Sequence, residues 1–311
     1  NAANPPFGAT FTYFIKDAIK TRKEMRQEAE KAAAKNGGDV QSPNWDSLRV
    51  EEREEAPAII LTVTDAEGRV VRRVTGPVSA GTHRVTWNLR YPSASPVTGA
   101  GGGGGGFFGP SDGPYAVPGS YAVSMAKRVD GVITSLGTPQ NFDVYPLDGA
   151  SARTPAALAF EQKAQALQRA VLGAGAAANE AQTRIASLKR ALNETTAGAA
   201  AQLSAQASAL SDSIRTVQDS LNGDPTRGRH SESSPPSLSD RVGDFSGGGV
   251  WSGSLDAPTG IAQRQYDIVA AQFAAVLAKL HQLIDVSLKR VEDAAEAAGA
   301  PWTSGRVPNW K

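Results

Sequence analysis

Residues 58–75 read AIILTVTDAEGRVVRRVT, and this stretch decides the fold class of the first half of the chain. Two β-branched, apolar runs, 58–64 and 69–75, flank Asp65-Ala66-Glu67-Gly68, a tight turn in which glycine can supply positive φ. The stretch is a hairpin. Working outward, residues 83–90 (HRVTWNLR) alternate strictly, with Val85, Trp87 and Leu89 on one face and Arg84, Thr86, Asn88 and Arg90 on the other. Pro118-Gly119 fits the centre of a type II turn and launches 120–129, where Tyr121, Val123 and Met125 share a face. Asp130-Gly131 then turns the chain into a further strand predicted over 132–145. Upstream, residues 8–15 (GATFTYFI) alternate and read as a strand. Short strands at regular spacing with Gly/Pro turns indicate an antiparallel, Ig-like β-sandwich over residues 1–148.

Two features interrupt it. Residues 18–56 read as a helical insertion: 18–35 are helix formers with almost no apolar stripe, stopped by Asn36-Gly37-Gly38, and 46–55 form a second short charged helix before Pro57. Residues 92–118 are a Gly-rich loop holding six consecutive glycines at 101–106.

After Pro146 the composition shifts to Ala, Gln, Leu and Ser. Thr154-Pro155 is a helix start, Thr as N-cap and Pro at the first helical position. A first helix is predicted to about residue 196. A second, 198–222, carries Leu203, Ala207, Leu210, Ile214, Val217 and Leu221 in an unbroken 4,3,4,3,4 spacing. Residues 225–256, rich in Ser, Gly and Pro, read as a flexible loop. A third helix, 258–298, places Tyr266, Val269, Phe273, Val276, Leu280 and Leu283 along one side, and the tail APWTSGRVPNWK is irregular. The expected architecture is therefore an α+β multidomain chain, the sandwich followed over 149–311 by a three-helix antiparallel bundle.

Composition narrows the function. Thirty-two Lys and Arg against 31 Asp and Glu leave a net charge of +1, without the basic excess that nucleic-acid binding requires. No run of 18 apolar residues occurs, so no membrane span is predicted. The absence of cysteine removes disulfides, thiolate catalysis and Cys-ligated zinc. The start at Asn1 suggests a processed or truncated piece of a longer protein.

The chain offers little chemistry. Gly109-Pro110-Ser111-Asp112-Gly113 matches the letters of a nucleophile elbow, but glycines precede it and Pro114 follows, where the motif needs a strand and a helix. The glycine run likewise lacks the strand-to-helix context of a phosphate-binding loop. His83, His230 and His281 are not at metal-ligand spacing; His83 has the parity of Trp87 and suits a strand face with a hydrogen-bond partner. Glu51, Glu52, Glu54 and Glu55, interleaved with Arg49 and Arg53, read as a solvated charged face. Asn193-Glu194-Thr195 matches a glycosylation acceptor placed within a helix and is discounted. No catalytic residue, cofactor site or metal site is predicted. Trp87 belongs to the core, whereas Trp45, Trp251, Trp302 and Trp310 fall in loops, where aromatics either staple a loop to its domain or contact a partner. Phe107, Phe108 and Tyr115, together with Trp251 and Trp302, are the candidate partner-binding residues.

The segments NPPFGATFTYFIKD, APAIILTVTDAEGRVVRRVTGP, AGTHRVTWNLRYPSA, GPYAVPGSYAV and the tail PWTSGRVPNWK resemble the region after the β-propeller in bacterial sortilin-like proteins, large exported proteins with BNR/Asp-box repeats often labelled glycosyl-hydrolase-like. The hairpin and the P-G-x-Y-x-V segment also resemble the Ig-like domain of flagellar hook-capping proteins. The S-x-D-x-G-x-T-W propeller repeats themselves are absent, so no catalytic residue is carried over. The resemblance implies an exported bacterial protein, periplasmic, cell-surface or extracellular. It further implies a β-propeller partner upstream of the N-terminus and a non-catalytic role in assembly or partner binding, possible within a larger cell-surface assembly. The alternative it implies is a supporting part of a glycoside hydrolase whose active site lies in a propeller outside this chain.

Overall fold

The structure, a computed structural model, describes residues 6–38, 42–96, 112–146, 153–246 and 257–308. It is a mixed α+β chain with antiparallel sheets and several helices. It divides into two units, residues 1–92 with 115–152, and residues 93–114 with 153–311.

In the first unit β1 (Ala9–Ile15) pairs antiparallel with β4 (Gly81–Trp87). A second sheet runs β3 (Val70–Gly76), β2 (Ala58–Asp65), β5 (Gly119–Val129), with β6 (Val132–Ser135) and β7 (Gln140–Val144) both paired to β5. The strand expected over 132–145 is thus two strands, interrupted at Leu136–Pro139. Pro139 has no N–H to give a ladder, while the Leu136 amide still donates to Met125 O at 2.8 Å. Side chains of both sheets share their cores. Trp87, 1 % exposed, meets Tyr121 edge-on at 5.5 Å, and Val63, Val71 and Ala116 complete the cluster. The strand carrying Trp87 ends there, three residues earlier than expected. Leu89 takes φ 58°, and the Trp87 indole N–H donates to Arg90 O at 2.9 Å, closing a turn in place of further strand. Burial pushes the Tyr121 hydroxyl up to about 12, and its O–H donates to Val117 O at 2.6 Å.

The 58–75 hairpin turn is built on Asp65, which accepts from the Glu67 and Arg69 amides at 3.1 and 2.9 Å and from Arg69 Nε at 2.8 Å. Burial pushes its carboxyl up, but the Arg69 guanidinium and the amides more than offset this and hold it below the usual carboxylate range. A folded-state pKa below the unfolded one stabilises above the unfolded value and is lost as pH falls through the folded value. Asp65→Asn is therefore expected to cost about 1 kcal/mol near neutral pH. That difference should shrink as pH falls below the usual carboxylate range in urea midpoints measured across the range; a difference independent of pH would show that the charge contributes nothing.

Between β1 and β2 lie α1 (Arg22–Lys35) and α2 (Trp45–Arg53), neither with a buried residue. Thr21 and Glu24 form a capping box on α1. The glutamate run is not simply a solvated face. Glu51, its side chain 8 % exposed, accepts from Arg26 Nε and Nη2 at 2.7 and 2.8 Å, and Arg26 also reaches Glu30 at 2.6 Å. The Arg26 guanidinium holds the Glu51 carboxyl below its usual value. The Arg26–Glu51 ion pair joins the two helices.

The second unit is helical. α3 (Pro155–Asn193) starts on the Thr154 cap, and α4 (Ala200–Asn222) follows. All six seam residues of α4, Leu203 to Leu221, are buried, in one core with Ala178, Ile185 and Leu188 of α3. Asn193 is the last residue of α3 and Glu194 its C-cap, so the Asn193-Glu194-Thr195 triplet lies at the helix end and not mid-helix. The loop expected over 225–256 contains α5 (Pro225–Arg229) and α6 (Leu238–Ser246). Ser237 accepts from the Asp240 amide at 3.1 Å and Asp240 accepts from the Ser237 amide at 3.0 Å, a reciprocal cap, and Leu238 and Val242 at i,i+4 enter the core. The last long helix is α7 (Gly260–His281), a π-helical segment (Gln282–Leu288) and α8 (Lys289–Ala297). Its core residues Leu280, Ile284 and Leu288 are spaced by four, which drifts around a 3.6-residue helix but stays in line on a wider turn. By length and composition this helix could cross a bilayer; 17 % of its most apolar window is buried, and Val269, Phe273, Leu280 and Leu288 of the helix enter the core.

The tail packs on α3 and α8. Glu292, 3 % exposed, accepts from Arg184 Nη2 at 2.7 Å and Nε at 3.1 Å. Arg306 donates to Glu292 O at 2.9 Å and to Glu296 at 3.1 Å. Gly305 lies over Arg184 with φ +95°, and a Cβ there would sit 2.9 Å from Arg184 Nε.

Candidate functional site

Of the five candidate partner-binding residues, Phe107, Phe108 and Trp251 lie outside the described residues, as do Ser111 and Trp310. Tyr115 and Trp302 are described, and they belong to different units.

Tyr115 is 38 % exposed and forms a shelf with two residues remote in sequence. The Arg90 guanidinium carbon stands 3.6 Å above its ring centroid, and Phe7, 63 % exposed, meets it edge-on at 6.4 Å. The backbone fixes this arrangement. Arg90 and Tyr115 form an isolated antiparallel bridge, and the Ala116 amide donates to Leu89 O at 2.7 Å. Gly8 carries the chain from Phe7 into β1 at φ +129°, so close to β4 that a Cβ would fall 2.0 Å from Trp87 O. The left-handed Leu89 aims Arg90 across the ring. The result is two aromatic faces and one cation, held from three directions and facing solvent. Arg90 and Tyr115 have further interactions besides these.

No protein-family model, curated protein or solved structure matches the chain. The shelf is therefore read from its own chemistry.

Trp302 is 57 % exposed, and its indole N–H donates to Arg306 O at 3.0 Å, so it staples the tail turn. Trp45 is not in a loop: it opens α2 and is 76 % exposed. The histidines are dispersed. His83 is half-buried, with Nε2 2.7 Å from Ser79 O and its ring 5.3 Å from that of Tyr13. His281 Nδ1 lies 2.7 Å from the exposed Asp285 one turn on, and His230 caps α5. Among the described residues no three His, Cys, Asp or Glu side chains are placed to hold a metal ion. A surface cleft of about 630 Å³ at the end of α4 is lined by Arg215, Gln218, Asp219, Asn222, Asp224 and Glu232 among others. Asp224 is committed to the backbone: it accepts from the Thr226 amide at 2.8 Å, which holds its carboxyl below the usual range.

Phe7 escaped the sequence reading. Its signal was the step PPFG immediately before a strand: a large apolar side chain ahead of a glycine, with no partner within the local pattern.

Proposed function

We propose that the chain is a non-catalytic interaction module of an exported bacterial protein, with its first unit an Ig-like sandwich and its second a three-helix antiparallel bundle. The Tyr121 hydroxyl, bonded to the backbone four residues upstream near the start of its strand, and the buried Trp87 beside it support the sandwich reading. The three long helices and their common core support the bundle.

The observation that carries the functional reading is the Phe7–Tyr115–Arg90 shelf. Aromatic and arginine side chains dominate the energetics of protein interfaces, and an exposed pair of rings with a pre-placed guanidinium loses little entropy on binding. The partner proposed is a β-propeller of BNR-repeat type from the same parent protein, docking at this end of the sandwich. No propeller-independent hydrolysis of glycosides, peptides or esters is expected from this chain.

The test is binding of the full chain to that propeller by surface-immobilised interferometry. Phe7→Ser combined with Tyr115→Ser should weaken binding about tenfold or more, as expected for loss of two anchors. Equal binding by variant and wild type would remove the shelf from the interface. Absence of binding by both would remove the propeller as partner. Glycoside turnover abolished by replacing one carboxylate would overturn the non-catalytic reading.

A further inference from the structure

We infer that the open edge of β1 is a self-association surface, at which a second copy of this chain pairs antiparallel through residues 9–15. β1 is hydrogen-bonded to β4 along one side over its full length, Ala9 opposite Trp87 to Ile15 opposite Gly81. Among the described residues its other side pairs with no strand. An unpaired strand edge is a row of N–H and C=O groups ready for another strand, and proteins that must stay apart blunt it with Lys, Pro, a bulge or brevity. β1 has none of these. ATFTYFI carries no charge and no proline, keeps an unbroken register, and at seven residues exceeds the common strand length.

Two strands, β1 and β4, lie against a sheet four strands wide, in which β6 and β7 share one side of β5, and Val123, Met125, Leu136, Phe142 and Val144 stay only partly buried. Phe11 of β1 meets Phe142 of β7 edge-on at 5.4 Å, so β1 borders this region.

The second copy is the occupant because the strand is complementary to itself. Opposed residues in an antiparallel pair face the same side, and only a two-fold axis through Thr12 overlaps all seven residues. That register sets Phe11 opposite Tyr13 on the inner face. It sets Thr12 opposite Thr12 and Thr10 opposite Phe14 on the outer face, where Phe14 is 66 % exposed. Aromatic pairs and aromatic–threonine pairs are favourable across strands, and without charges nothing repels.

Thr12 is exposed, so its side chain can be changed without touching either core. Sedimentation of the full chain should show a species of twice 32.4 kDa that dissociates on dilution. Thr12→Lys and Thr12→Glu should each sediment as monomers, because like charges then face each other at the axis, and an equimolar mixture should restore the dimer. Circular dichroism confirms that each variant is folded; should either prove unfolded, Phe14→Ser, which removes both Phe14–Thr10 pairs, should in its place shift dissociation of the dimer to higher protein concentration, and an unshifted dissociation overturns the proposal. A wild type that stays monomeric at every concentration overturns the proposal. So do charged variants that dimerise as the wild type does, and so does a Thr12→Lys and Thr12→Glu mixture that stays monomeric.

Discussion

Ile214→Asp unfolds the helical unit and leaves the strand-rich unit intact. Ile214 has no exposed surface and lies mid-way along α4, one of six seam residues that enter a single core with α3, α6, α7 and α8. A carboxylate there has no partner and no water, and it either ionises in an apolar medium or stays protonated at a cost set by the shift. Burial of an unpaired charge together with loss of the apolar side chain costs about 4–5 kcal/mol. A unit of this size has about 5–15 kcal/mol to lose, so the helical signal collapses or its melting point falls steeply. The Trp87 indole N–H, bonded to Arg90 O, reports on the other unit by NMR. Its resonance should stay in place. Simultaneous loss of the Trp87 resonance and of helix would show that the two units fold as one, and an unchanged melt would show that the seam is not closed. Ile214→Val, which removes one methyl group, should cost about 1 kcal/mol.

Glu292→Ala frees the C-terminal tail. The Glu292 side chain is 4 % exposed and its partner Arg184 is 21 % exposed. Removing one member of a buried pair leaves the other charge uncompensated, and the partial access of Arg184 to water places the cost at the lower end, about 3 kcal/mol. The tail feels the loss directly. Arg306 reaches the Glu292 carbonyl and the Glu296 carboxylate, and Gly305 crosses the Arg184 guanidinium. When Arg184 swings out, the surface under Gly305 is lost. Tryptic cleavage after Arg306 should be slow in the wild type and fast in the variant. The double replacement Arg184→Met, Glu292→Leu should destabilise less than Glu292→Ala alone, since no charge is stranded. Equal cleavage in wild type and Glu292→Ala would show that the pair does not hold the tail.

Much of the fold was legible because its signals are local. The 58–75 hairpin announces itself by two β-branched runs about a glycine-bearing turn, and the seam of α4 by spacing alone. α6 was not legible, since Leu238 and Val242 are a single apolar pair amid Ser and Pro, too short a pattern to stand out from a loop. The tail is irregular, as its sequence reads, but what holds it was not legible: Arg184 and Glu292 are 108 residues apart, and no window spans that distance. The shelf is similar: Tyr115 was picked out as a loop aromatic, but Phe7 and Arg90 come to it through the approach of β1 to β4 and the left-handed turn at Leu89. A strand is visible in a sequence; whether its second edge is occupied is a property of the assembled sheet, so ATFTYFI could be called a strand but not an open one.

The π-helical segment bears on how this helix relates to others of its kind. Leu280 and Leu288 both enter the core and are eight positions apart. On a regular helix, at 3.6 residues per turn, seven positions return a side chain to nearly the same face and eight overshoot by about 80°. One surplus residue, absorbed by widening the backbone over 282–288, reconciles the two. A descendant or ancestor lacking one exposed residue of QLIDVSL, Asp285 or Val286, could run straight and keep Val269, Phe273 and Leu280 above, and Val291 and Ala295 below, in the same core. Length variation by a single residue, which would scramble most buried helices, is thus tolerable at this one place, and a comparison of related chains that forbids gaps inside helices would misplace every residue after it.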